Sequence, residues 1–148
     1  MGSGIGSIES ALGKLFREAK QEILLTAYSI TSGADILFDW LDIALSRGVE
    51  IKMIVNHLEG QPPVVIQKLQ GLVKKYQHFY LYDFHRDEWV DLHAKLVVAD
   101  RQIAIVGSSN LSRRGLLTNY ELALSITGQV ATDIACAVDS IISKLNVY

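Results

Sequence analysis

The chain has 148 residues, 49% of them hydrophobic and 20% charged, with a net charge of −2. That describes one globular domain with a core of its own: no run approaches the ~20 apolar residues of a membrane-spanning helix, and the near-neutral balance selects no class of partner, because local patches decide binding. The single cysteine, Cys136, excludes an internal disulfide framework, no Cys/His set has zinc spacing, and no Gly-x-x-x-x-Gly-Lys phosphate loop occurs.

Residues 1–7 read as a flexible start or an expression remnant. No secretory signal is visible, so the cytoplasm is the expected compartment, with the periplasm the alternative if a leader was removed. Ile8, Ala11, Leu12, Leu15, Phe16 and Ala19 recur at helical spacing and predict an amphipathic helix. Residues 23–30 form an apolar strand. Ile36, Leu37, Trp40, Leu41, Ala44 and Leu45 mark a second helix that Gly48 stops, with Trp40 in the core. Residues 51–55 are a strand, Pro62 and Pro63 open a third helix, and residues 79–84 are the next strand. Residues 93–99 and 102–106 follow as two more strands, and residues 121–126 as another. Val130, Ile134, Val138, Ile141 and Leu145 stripe a final helix, on which Cys136 reads as a buried thiol. Lys74 and Lys75 fit the exposed end of the third helix. Helices alternating with strands, then a hairpin, indicate an α/β sandwich around a mixed sheet.

The chemistry concentrates between His93 and Asn110. The pattern is His-x-Lys-x4-Asp-x6-Gly-Ser-x-Asn, carried by His93, Lys95, Asp100, Gly107, Ser108 and Asn110. On a strand, His93 and Lys95 share a face. A two-residue turn at Asp100 and Arg101 would set Ala99 opposite Gln102 and His93 opposite Ser108. Lys95 supplies a point charge, Ser108 and Asn110 supply neutral donors, and Gly107 lets backbone approach a ligand. The result is an anion cradle with His93 at its rim as general base, general acid or nucleophile. A phosphate is the natural anion with a reactive centre. His-x-Lys alone is a weak signal, whereas the full spacing is a strong one. Glu121 opens an apolar strand where a carboxylate is disfavoured, and it could accept a hydrogen bond from His93 and fix its tautomer. Arg113 and Arg114 either grip flanking phosphates or lie on a solvated loop. Trp89 either stacks on a base or covers a subunit interface. His57 and His85 each follow a predicted strand end, where surface-loop positions are expected ahead of a place in the cleft.

These residues resemble the signature of the phospholipase D (HKD) superfamily, and they match it without departure. Residues 22–30 resemble its early strand, and residues 44–51 its helix, Arg-Gly-Val, strand segment. The resemblance runs from about Ile8 to the C-terminus and is nearest to the short, single-motif bacterial nucleases. Residues 110–121 also resemble HKD proteins of anti-phage defence systems. The resemblance implies a single-domain phospholipase D-like α/β sandwich, a mixed central sheet flanked by helices, spanning residues 8–148. It implies a metal-independent phosphodiesterase with no cofactor. His93 would form a phosphohistidine, Lys95 and Asn110 would hold the phosphate with Ser108 assisting, Glu121 would orient His93, and Asp100 would be structural.

Two-step displacement needs two histidines, and the chain holds one motif. His57, His78 and His85 are not followed by the pattern. A homodimer that brings a second His93 across a two-fold axis is the simplest completion. The pair would titrate as a unit, one imidazole neutral and one protonated. The expected activity is therefore a homodimeric nuclease, with DNA ahead of RNA as substrate and no membrane partner. The alternatives are a phospholipid phosphodiesterase or phosphatidyl transferase, or a nucleic-acid-binding subunit of a larger complex.

Overall fold

Apolar runs become the middle of a sheet, and striped segments become helices laid over its two faces. The computed structural model describes residues 7–31, 34–85, 90–108, 110 and 122–148. In chain order the elements are α1 (Ile8–Glu18), β1 (Glu22–Ala27), α2 (Asp35–Ser46), β2 (Glu50–Asn56), a 3₁₀ turn (Leu58–Gly60), α3 (Pro63–Lys75), β3 (Phe79–Phe84), β4 (Leu96–Ala99), β5 (Ile103–Gly107), β6 (Ala123–Thr127) and α4 (Gln129–Ile142). Six strands form one sheet in the order β3-β2-β1-β4-β5-β6. The pairs β1–β2 and β2–β3 are parallel, whereas β1–β4, β4–β5 and β5–β6 are antiparallel. The carboxyl ends of β1, β2, β3 and β5 therefore share one edge with the amino ends of β4 and β6. This is the expected mixed sheet with helices on it.

Strand alternation divides the core into two layers. Ile23, Leu25, Ile51, Met53, Val97 and Ile105 pack beneath α1, α2 and α3. Leu24, Ile54, Val98 and Ala104 meet Ala131, Ala135 and Val138 of α4. Each fully buried aliphatic side chain in these layers contributes about 1.5–3 kcal/mol. Trp40 is buried in the first layer and stacks on Phe16 with ring centroids 5.7 Å apart.

Local signals explain several boundaries. Ser7 is not part of a loose start: it caps α1, its hydroxyl accepting the Ser10 N–H at 3.0 Å. Gly48 follows α2 at φ 86, a left-handed position that glycine takes without strain. On α4 the buried stripe is Ala131, Ala135 and Val138. Cys136 lies one position off that stripe and is exposed, not buried as expected. Val130 also faces outward, at 54% exposure.

The hairpin departs from the expected register. Ala99 pairs with Ile103, not with Gln102, and Leu96 pairs with Val106. Asp100 and Arg101 both adopt positive φ, 52 and 58, and Gln102 N–H closes the turn on the Ala99 carbonyl at 3.0 Å. Gln102 is then the extra residue, and the second strand starts one residue late. Gly107 ends β5 against β6. A Cβ there would stand 2.6 Å from the Leu122 carbonyl oxygen and 2.9 Å from Ala123 Cβ. Close strand approach requires this glycine, where a close approach to ligand was expected.

Asp100 anchors the turn to the start of β1. Its carboxylate accepts the backbone N–H groups of Lys20 at 2.9 Å, Gln21 at 2.8 Å and Glu22 at 3.0 Å, and its own N–H donates to the Glu22 carbonyl at 2.8 Å. Burial alone would push this carboxyl up, but the three N–H donors outweigh it and hold it below the ordinary carboxylate value. A lowered value means stability that is present above the unfolded-chain value of about 3.9 and is lost as pH falls through the folded value. Asp100→Asn should therefore lower the unfolding free energy by about 1–3 kcal/mol near neutral pH. Urea titrations at stepped pH should show the gap between mutant and parent closing in acid.

Candidate active site

The motif histidine and lysine stand just outside the sheet. The expected strand 93–99 begins only at Leu96. The β1–β4 pairing stops at Leu25–Val97, and there a side chain takes over from the ladder. Thr26 Oγ1 donates to the Ala94 carbonyl at 2.7 Å and accepts the Leu96 N–H at 3.2 Å. A threonine hydroxyl competes with backbone partners in this way, and here it frees residues 93–95 from strand geometry. The Lys95 carbonyl still accepts the Gly107 N–H at 3.1 Å, so the end of β5 lies against Lys95.

His93 and Lys95 do meet. Lys95 Nζ lies 2.8 Å from His93 Nδ1 and donates to the His93 carbonyl at 3.0 Å. His93 is exposed and Lys95 half-buried. With Lys95 donating, Nδ1 is the acceptor, and a neutral His93 ring carries its proton on Nε2. The third member of the cluster is Tyr28, the residue directly after β1. Its ring centroid is 4.3 Å from that of His93, and Lys95 Nζ lies 5.4 Å from the Tyr28 centroid. The Lys95 ammonium is within cation–π range of that ring. Tyr28 was missed as a site residue. The available signal was its place at the carboxyl end of a central strand, where ligand sites gather in α/β sheets.

Ser108 is tied to the residue before β6, its N–H donating to the Leu122 carbonyl at 3.0 Å and its Oγ accepting the Leu122 N–H at 3.2 Å. Its backbone thus follows Gly107 alongside the motif. Asn110 is half-buried two residues further on. Glu121, Arg113, Arg114 and Trp89 lie outside the described residues. Asp100 is at the opposite end of β4 from His93, which fits its structural role.

His57 and His85 lie just past β2 and β3, as expected, His57 half-buried and His85 exposed, and they meet each other. His57 Nδ1 is 2.9 Å from His85 Nδ1, and His57 Nε2 is 3.0 Å from Asp91 Oδ1. Tyr28, Asn56, His57, Gln61 and Asp91 line one cleft. His78 is elsewhere, its Nε2 2.8 Å from the Leu45 carbonyl. Among the described residues no group of three or more His, Cys, Asp or Glu could hold a metal ion, and no helix is long and apolar enough to cross a membrane.

Comparison with known proteins agrees with the fold. Nuc from Salmonella typhimurium, a phospholipase D family member, superposes with a TM-score of 0.82 at 21% identity, covering 99% of this chain and 93% of that one. Cardiolipin synthase A of Pectobacterium carotovorum subsp. carotovorum (strain PC1) is 30% identical over 144 residues, 92% of this chain but 27% of that protein. The chain thus spans about a quarter of the length of that relative. DISARM protein DrmC of Bacillus paralicheniformis is 23% identical over 121 residues, 81% of this chain and 50% of that protein. The family model described as "Cardiolipin synthase, PLD-like domain" matches residues 12–145. Matched over nearly its whole length, the chain belongs to the phospholipase D-like family.

Proposed function

We propose that the chain is a metal-independent phosphodiesterase that hydrolyses nucleic acid as a homodimer. The observation that carries this reading is the contact of Lys95 Nζ with His93 Nδ1 at 2.8 Å, at the open edge of the sheet and against the end of β5. A cation beside an exposed imidazole suits a phosphate whose charge grows during attack. In the first step His93 Nε2 bonds to phosphorus as the phosphorus–oxygen bond to the leaving strand breaks, and His93 of the partner subunit gives that oxygen its proton. In the second step water attacks the phosphohistidine and regenerates both imidazoles. Attack through Nε2 needs the ring proton on Nδ1. Nδ1 must therefore exchange its bond from Lys95 for one to an acceptor, the role we assign to Glu121. Lys95 then turns to the phosphate with Ser108 and Asn110. Anti-phage defence is the setting we propose, on the resemblance of residues 110–121.

Two features support the dimer. The three other histidines of the chain are held away from any lysine-paired arrangement of this kind among the described residues, by each other, by Asp91 or by a carbonyl. The edge strand β6 and the residue before it expose Leu124 at 62% and Leu122 at 75%. An apolar edge beside a half-built site is where a second copy would bind.

The second reading is phosphatidyl transfer or lipid hydrolysis, favoured by the family model and by the 30% identity to a cardiolipin synthase. One assay separates the two. Labelled single- and double-stranded DNA and RNA, and phosphatidylglycerol vesicles, are each incubated in excess EDTA. Nucleic-acid cleavage that persists in chelator is expected, with DNA ahead of RNA. His93→Ala should reduce it by at least about 10³-fold and Lys95→Ala by about 10²–10³-fold. Turnover of vesicles alone would transfer the function to lipids. For the dimer, Leu124→Glu should move the light-scattering mass from two chains to one and abolish turnover together; an active monomer would refute the two-chain site.

A further inference from the structure

Residues 91–94 lie outside the strands, and the anchors on either side of His93 are side chains from elsewhere. Thr26 secures Ala94 on one side. On the other side stands Asn56, the last residue of β2, 4% exposed. Its Oδ1 accepts the Leu92 N–H at 2.7 Å, and its Nδ2 donates to Asp91 Oδ1 at 3.2 Å. His57 donates from Nε2 to the same carboxylate oxygen at 3.0 Å. His57 itself takes a left-handed backbone conformation, at φ 46, a strained position for a residue other than glycine. His85 completes the set. Its Nδ1 lies 2.9 Å from His57 Nδ1, and by donating there it fixes the His57 tautomer that carries a proton on Nε2. Gln61, 8% exposed, braces Tyr28, the ring against His93: its Nε2 donates to the Tyr28 carbonyl at 3.2 Å and to the Asn56 carbonyl at 2.8 Å.

We propose that Asn56 and His57 are positioning residues for His93, with His85 acting through His57. They fix residues 91 and 92 as Thr26 fixes residue 94, and so set the place of the imidazole between them. Neither touches the reacting atoms. The effect on turnover rests on His93 being the reactive group; the effect on its position does not. A shift of ~1 Å in a reacting group costs about a hundredfold in rate, so loss of one anchor should act on kcat and spare KM.

The test uses two substitutions in the full chain. His57→Phe keeps the ring volume and removes the donor to Asp91. His57→Gln returns an N–H at similar reach without the ring. With histidine side chains labelled with ¹⁵N, the His93 ring resonances report its surroundings without any substrate. His57→Phe should move the His93 signals, and His57→Gln should bring them back toward the parent. With a cleaved substrate, His57→Phe should lower kcat by about ten- to a hundredfold with KM within about twofold, and Gln should recover most of it. Should the Phe variant fail to fold, Asn56→Ala takes its place with the same expectation. His93 signals that stay put in the variant lacking the anchor would overturn the proposal. So would a Gln variant no better than Phe, since packing alone would then explain the loss. Moved signals in a protein that cleaves no nucleic acid would uphold the positioning role and refute the nuclease reading.

Discussion

A single buried hydroxyl decides where the sheet ends and the site begins. Thr26 is 2% exposed and takes both the carbonyl of Ala94 and the N–H of Leu96, the groups that a continuing strand would give to β1. Buried backbone groups must be paired, and a side chain pairs them here. The chain can then leave strand geometry at Lys95 with both of those groups paired. His93 and Lys95 meet in this released segment: Nζ reaches Nδ1 across two residues at 2.8 Å. Everything else at this edge follows from that release. The segment that Thr26 frees must be held by Asn56 and His57, and Tyr28 stands close enough to touch both motif side chains.

The far end of β4 shows the opposite strategy. There the carboxylate of Asp100 gathers three backbone N–H donors around the start of β1, and Arg101 bridges Glu22 at 3.2 Å and Asp139 of α4 at 2.7 Å. The turn residue most distant from His93 within the motif is thus its firmest anchor. One short strand is fixed by charge at one end and released by a hydroxyl at the other. This explains how a signature of six residues mixes chemistry with scaffolding. His93 and Lys95 carry the proposed chemistry, whereas Asp100 and Gly107 hold the hairpin that presents them.

Much of this was legible in the residues. Strand and helix order followed from periodicity, and the meeting of His93 and Lys95 followed from their spacing. The readings that failed did so for both long-range and local reasons. The motif strand starts late because of a threonine 68 residues from Ala94 in sequence, a partner that no local window contains. The hairpin register slipped by one because Gln102 stays outside the ladder after the left-handed pair at Asp100 and Arg101. Cys136 was misplaced because one residue on a helix is a rotation of about 100°, enough to move a side chain from core to solvent. Tyr28, Asn56 and His57 carry no signature of their own. They join the site only because parallel strands deliver their carboxyl ends to the edge where an antiparallel strand begins.

In the proposed homodimer, one motif per chain makes half a site. A mixing experiment decides whether it does. Parent protein and His93→Ala are unfolded together, refolded at varied ratios and fixed total concentration, and assayed for cleavage in chelator. If each site needs His93 from both chains, mixed dimers are inactive, and activity falls as the square of the parent fraction. A linear fall would show that each chain completes its own chemistry, and the paired-histidine account would be wrong.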